Sequence, residues 1–230
     1  MNVIGFQAGF RTGMRNATAT RSLVGAIVTL CIVALISLAE KQASIFGAAS
    51  RALEDRVFGL LMPFVLLYAS TRILQPVRLE DAASPIARFG FSRRSVGLGL
   101  IVASMVAGGA LAAIAAAETA ILAHDLTAPP PALDAFTCAW IGALTGCAYA
   151  GLFALGATFG ARGGGRVWAL GLDFVLGATS GFAAVLVPRA HAQNLLGGEP
   201  PLLLGQPASV ALLVVLAIGF TGLALARSTP

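Results

Sequence analysis

The sequence predicts an all-α membrane protein, a single bundle of six transmembrane helices, and three observations carry that reading. Apolar residues make up 57% of the 230 and charged residues only 11%, with a mean hydropathy of +0.87, a balance that soluble domains do not need. The apolar residues gather into stretches near the roughly 20 residues that a helix needs to cross a hydrocarbon core about 30 Å thick. Strand-like alternation is absent, and only a helix satisfies its backbone groups within one segment, so the runs are helices and not barrel strands.

The N-terminal segment comes first. Val3, Phe6, Phe10 and Met14 recur at spacings of three and four beside Arg11 and Arg15, which predicts an interfacial helix on the cytoplasmic leaflet. Gly5, Gly9 and Gly13 oppose it, each costing about 1 kcal/mol against Ala, and a disordered basic tail is the alternative. The first span follows at residues 22–39. Its ending, "SLAE", raises cleavage as a signal peptide, but the polar leader is long and the apolar run exceeds the usual stretch of about 7–15 residues, so the span is expected to be retained.

The second span, 57–74, is interrupted by Pro63, and the third, 96–117, is the cleanest. Three prolines at 129–131 give a stiff extended turn before the fourth span, 136–159. The fifth span is placed at 167–187 and the sixth at 208–226. The loop between them is expected to dip into the interface or to carry short helices. One membrane domain, 1–230, accounts for the whole chain. Gly142 with Gly146, Gly156 with Gly160, and Gly177 with Gly181 sit four residues apart; such pairs let helix backbones approach in lipid and predict close contact between the fourth and fifth spans.

A net charge of +5 and a pI near 9.9 raise nucleic acid as a partner, but the positions of the cations argue otherwise. Eleven of the 15 basic residues fall on one side of this topology: Arg11, Arg15, Arg21, Arg72, Arg78, Arg88, Arg93, Arg94, Arg162, Arg166 and Arg227. By the positive-inside rule both termini are cytoplasmic, and the bilayer replaces nucleic acid as the partner that the charge implies. Cys31, Cys138 and Cys147 are an odd set with two members deep in spans, and are read as small packing residues.

Little chemistry is legible. Asp173 is the acidic residue well inside a span, on one stripe with Gly177 and Gly181 and within reach of Arg166 or Arg72. An intramembrane acid is a proton or substrate contact by default, and a satisfied packing carboxylate near the interface is the competing reading. Glu118 reads as interfacial, and His124 and His191 as solitary residues of outer loops. No spacing suits a metal site or a catalytic grouping, so neither metal ligands nor catalytic residues are expected. The segment "GARGGGR" at 160–166 lacks the Gly-Lys-Ser/Thr of a phosphate loop and reads as a tight cytoplasmic turn.

Between the second and third spans lies "RLEDAASPIARFGFSRRSVGLG", five arginines with Glu80 and Asp81 in fewer than thirty residues counting from Arg72. This stretch, with the N-terminal helix and six spans, resembles bacterial type-2 ATP-binding-cassette (ABC-2) transporter permeases. They carry acid–x–x–Pro–[Ile/Val]–Ser–Arg followed by Gly-Lys in a cytoplasmic coupling helix at this place. Ser92, Arg93 and Gly97 or Gly99 match in one register, with Gly90 where the family has Pro and no Lys after the Gly; "SPIAR" at 84–88 gives a second register. The haem-exporter permease of cytochrome c maturation is similar in length, span count and its glycine-rich basic turn.

The resemblance implies a permease subunit of an ATP-driven exporter in the bacterial inner membrane. It implies pairing with a second permease subunit, the same or related, and docking of an ABC ATPase through Glu80, Asp81, Arg88, Arg93 and Arg94. The chain itself would bind no cofactor and would not be an enzyme; ATP and Mg would sit on the partner ATPase. A membrane scaffold without a transport path, and less readily an intramembrane enzyme, are the alternatives.

Overall fold

The computed structural model describes residues 2–43, 47–124, 130–179 and 181–228. Those residues are helical, with no strand among them: α1 (Val3–Ala17), α2 (Thr20–Ala43), α3 (Ala48–Arg51), α4 (Met62–Leu74), α5 (Leu79–Ala87), α6 (Arg93–Leu122), α7 (Pro131–Gly156), α8 (Gly165–Gly177), α9 (Pro188–Leu195) and α10 (Gln206–Arg227). Five helical runs among them are long and apolar enough to cross a membrane: α2, the run that begins with α3 and includes α4, α6, α7 and α10.

The run through α3 and α4 changes winding. Residues Ala52–Leu61 form a π-helical segment, and the Met62 N–H reaches back five residues to the Val57 carbonyl. Pro63 follows directly and has no N–H to give residue 59, so the chain before it is wound wider instead of being broken. Gly59 fits there because a Cβ would lie 2.5 Å from the Glu54 carbonyl oxygen. The interruption expected at Pro63 is therefore a change of pitch. At the other proline cluster, Pro131 is the first residue of α7 and Pro130 its cap; proline's fixed φ suits a first helical turn, so the last of the three prolines starts a helix, while Pro129 lies outside the described residues.

The segment expected as a continuous fifth span, 167–187, is not one helix. α8 ends at Gly177 after 13 residues, a 3-10 turn covers Phe182–Leu186, and α9 begins at Pro188. The sequence after Leu176 reads Gly-Ala-Thr-Ser-Gly, in which the two glycines, Thr and Ser are poor helix formers. The Thr179 hydroxyl and N–H both bond the Leu176 carbonyl, at 2.7 and 3.1 Å, and close the helix end.

The centre of the bundle is α6, which packs most extensively on α7 and next on α1. Both contacts are glycine seams. On the α7 side, a Cβ at Gly142 would lie 2.5 Å from the Ala112 carbonyl oxygen, and one at Gly146 2.7 Å from that of Gly108. On the α1 side, Gly5 faces Phe91 and Ser95, Gly9 meets the Val96 carbonyl, and Gly13 meets Ala103 at 2.5 Å. The residue numbers rise together, so α1 runs parallel to α6 along its first turns. The glycines that weaken α1 as an isolated helix are thus its buried face, while Val3 and Ile4 are exposed and Phe6 and Phe10 stack on its flank. Asn2 caps the helix at the Ile4 and Gly5 N–H groups and donates its own N–H to Ser95 Oγ at 3.0 Å. A buried Ser70–Ser104 hydrogen bond of 3.1 Å ties α4 to α6.

Candidate functional site

The arginine-bearing segments meet at one end of the bundle. After α4 the chain turns at Gln75, a non-glycine residue with φ of 64°, and residues 75–78 cross to the turn between α7 and α8. There the buried Arg166 guanidinium donates to the Gln75 carbonyl at 2.8 Å and to the Val77 carbonyl at 3.0 Å. The Leu79 N–H donates to the Ala157 carbonyl at 3.3 Å, and the Arg78 guanidinium to the Thr158 carbonyl at 3.2 Å. Gly163, at φ of +69°, lies against Val77 so closely that a Cβ would sit 2.5 Å from its carbonyl oxygen. The "GARGGGR" turn is therefore a socket for the segment that leads into α5.

From that clamp α5 projects. Leu79 and Ala83, one turn apart, are buried against the bundle, while Asp81, Pro85 and Arg88 are exposed. Glu80 pairs with Arg78 at 2.9 Å. Phe89, 82% exposed, stands at the tip of the turn that follows. Gly90 has φ of +89°, a conformation closed to proline, whose ring fixes φ near −65°. Ser92 is the N-cap of α6, and Arg93 and Arg94 are exposed in its first turn. Cations there oppose the helix dipole. Arg88 and Arg93 line one small cleft of about 220 Å³ together with Ser84, Ala87 and Phe91.

Asp173 is completely buried. Its Oδ2 accepts from the Tyr149 hydroxyl at 2.7 Å, and its Oδ1 from the Arg189 backbone N–H in the first turn of α9 at 3.3 Å. The Arg189 guanidinium lies over the Phe174 ring, 4.6 Å from its centre. These are its partners in place of Arg166 or Arg72, and the carboxyl joins α7, α8 and α9. Asn at this position can still accept from the Arg189 N–H but leaves the buried Tyr149 O–H without its acceptor. We therefore expect Asp173→Asn, which strands one buried donor, to cost about 1–3 kcal/mol by thermal midpoint in detergent, and Asp173→Leu, which strands two, to cost about twice as much. A midpoint that falls equally in both variants would refute this packing role.

A second buried polar cluster had no signal in the sequence. His191, expected in an outer loop, is buried; its Nε2 lies 2.9 Å from the Val185 carbonyl and its Nδ1 3.1 Å from Ser209 Oγ on α10. Asn194 Nδ2 donates to the same Ser209 Oγ at 2.8 Å and to the Leu204 carbonyl at 3.0 Å. A neutral ring that donates from Nε2 to the Val185 carbonyl and accepts at Nδ1 from the Ser209 hydroxyl satisfies both ring nitrogens and the serine.

The glycine pairs separate. Gly142 and Gly146 lie on the α6 seam and not against α8. Gly156 ends α7 and packs on the Arg166 backbone, while Gly160 is a turn residue at φ of +74°. Gly177 packs on the Arg189 side chain, and Gly181, beyond the end of α8, has open space. Cys31, Cys138 and Cys147 are free thiols, and no group of three His, Cys, Asp or Glu among the described residues could hold a metal ion. No family model, no curated protein and no solved structure matches the chain.

Proposed function

We propose that this chain is the membrane-spanning permease subunit of an ATP-driven exporter of the ABC-2 type, with α5 as the coupling helix on which a separate ATPase subunit acts. The observation that carries this reading is the clamp at the arginine-rich end. A short exposed helix is bonded through Arg166, Arg78 and the Leu79 N–H to the α7–α8 turn, and it is continuous in sequence with α4 and α6. A push on α5 is thereby delivered to four long elements at once. The chain has no nucleotide-binding motif of its own, so the push comes from a partner. The second register of the ABC-2 pattern, Pro85-Ile86-Ala87-Arg88, falls on and just after this helix, and Arg93 and Arg94 stand beside it.

A six-crossing topology with both termini in the cytoplasm of a bacterial inner membrane fits the same reading. Arg227, ending α10, lies over Phe159 at the α7–α8 turn, 4.1 Å from the ring centre. Ser209, at the start of α10, bonds His191 and Asn194 of α9. Between those two levels α8 rises to Asp173, where α9 takes over, so the fifth crossing is made by a helix in two pieces. Such broken helices recur in transporters, with irregular backbone kept against protein. Export by two such subunits would be mechanical, with the bundles rocking as the ATPases close.

Tagged protein extracted in mild detergent from its native host is expected to bring down an ATPase subunit. Arg93→Glu/Arg94→Glu, in a form shown to insert correctly, should lower that recovery about tenfold or more, since reversed charge at a docking rim is repulsive. Recovery of the ATPase undiminished by the double variant removes the docking assignment. Its absence from the wild-type sample removes the transporter reading.

A further inference from the structure

One roomy cleft among the described residues does not touch the clamp's bonds or the Asp173 cluster. It holds about 640 Å³ and runs between α7, α8 and α10, walled by Leu152, Leu155, Phe159, Trp168, Leu172 and Phe220. That volume lies in the ordinary range of about 300–1,000 Å³ for small-molecule sites. Its floor along α8 extends from Gly165 to Leu176, about 17 Å of helix at 1.5 Å per residue. One leaflet of the hydrocarbon core is about 15 Å deep, half of the roughly 30 Å total. The cleft is therefore as long as one leaflet's acyl chains, opens sideways past the 78% exposed Trp168, and begins at the arginine-rich end.

Two cations stand at that beginning. The Arg227 guanidinium lies on the Phe159 ring that walls the cleft, 4.1 Å from its centre. Arg162, exposed, sits in the turn between the lining residues Ala161 and Gly164, held at φ of 54°. Neither takes part in the ion pairs Arg56–Glu40 and Arg78–Glu80. Arg166, the third cation of this turn, is turned inward and used by the clamp. An apolar trough one leaflet long with two outward cations at its headgroup end is complementary to one kind of molecule.

We propose that this cleft holds an acyl chain of an anionic phospholipid of the arginine-side leaflet, with the lipid phosphate against Arg162 and Arg227. This depends only on the chain being a membrane protein and not on what it transports. Each arginine near a lipid anion favours binding by about fivefold.

Trp168 is the natural probe. In a Trp140→Phe background, which leaves Trp168 as the remaining tryptophan of the two, the full chain is reconstituted in vesicles containing brominated phosphatidylglycerol or brominated phosphatidylethanolamine. The brominated anionic lipid should quench Trp168 at several-fold lower mole fraction than the zwitterionic one. Arg162→Gln and Arg227→Gln should each reduce that preference about fivefold, while Arg21→Gln, remote from the cleft, should not. Leu155→Trp, with both Trp140 and Trp168 replaced by Phe, provides a second reporter on the α7 wall of the cleft, with the same preference expected. Equal quenching by the two lipids, a preference unchanged by both arginine variants, or a Trp168 shielded from every lipid by a second copy of the chain would each overturn the proposal. The first and third results need no variant at the arginines, so a misfolded mutant cannot rescue it.

Discussion

Arg166→Met is expected to lower the thermal midpoint in detergent by about 6 °C or more. The side chain is buried and bonds two backbone carbonyls, Gln75 and Val77. Hydrogen bonds to a charged group contribute about 1.5–3 kcal/mol each, so loss of both costs about 3–6 kcal/mol before relaxation; each kcal/mol corresponds to about 2–4 °C for a chain of this size. Gln75 adds to the effect, because a non-glycine residue at φ of 64° keeps that conformation only while its surroundings hold it. Arg166→Lys should fall between, since an ammonium cannot present the two parallel donors of the guanidinium. On the proposed function, an Arg166→Met protein that still binds its ATPase would fail to translocate. A midpoint equal to that of Arg162→Gln, a neighbouring exposed arginine, would show that the clamp does not hold the turn.

The second large effect is expected at the α1–α6 seam. Gly9 meets the Val96 carbonyl, and Gly99 meets the Phe6 carbonyl, with no room for a Cβ at either. Gly9→Leu must push α1 off α6, and with it the buried contacts of Gly5 and Gly13. A cross-link reads this directly. A Cβ at Gly5 would lie 3.3 Å from that of Ser95, close to the roughly 3.5–4.5 Å of a disulfide. In a chain with its native cysteines replaced by Ala, Gly5→Cys/Ser95→Cys should oxidise nearly completely, and adding Gly9→Leu should abolish the cross-link. An undiminished cross-link in the triple variant would mean that α1 is not held by backbone contact. Gly9→Ala tests the same point at smaller scale, with partial loss expected.

Long apolar runs made α2, α6, α7 and α10 legible, because a helix is the cheapest way to bury twenty consecutive backbone units in lipid. The break after Gly177 was not, since a hydropathy window averages over Gly-Ala-Thr-Ser-Gly and reports only that the segment is apolar. The face by which α1 packs on α6 was not legible either. Glycine weakens an isolated helix in water, yet in lipid the same residues let two backbones touch, and Gly5, Gly9 and Gly13 act in the second way. That Asp173 needs partners was evident; that they are Tyr149 and the N–H of Arg189 was not, because the three residues meet only when α7, α8 and α9 assemble. Arg166 was read as a topology anchor for the same reason. Its acceptors lie 91 and 89 residues away in sequence, and no local pattern announces such a pairing.

The π-wound segment before Pro63 has a consequence for how this span tolerates changes of length. A π-helix stores at least one residue more than an α-helix covering the same rise, and one residue turns everything beyond it by about 100°. The inward stripe of α4, Met62, Leu66, Ser70 and Ile73, faces the bundle with that surplus in place, while Phe64 and Tyr68 face outward. Elsewhere in a span, deleting a residue rotates the following stripe out of the core. Between Ala52 and Leu61 a deletion instead has slack to draw on: the segment can rewind as an α-helix and leave the phase of α4, and the level of the clamp below it, where they are.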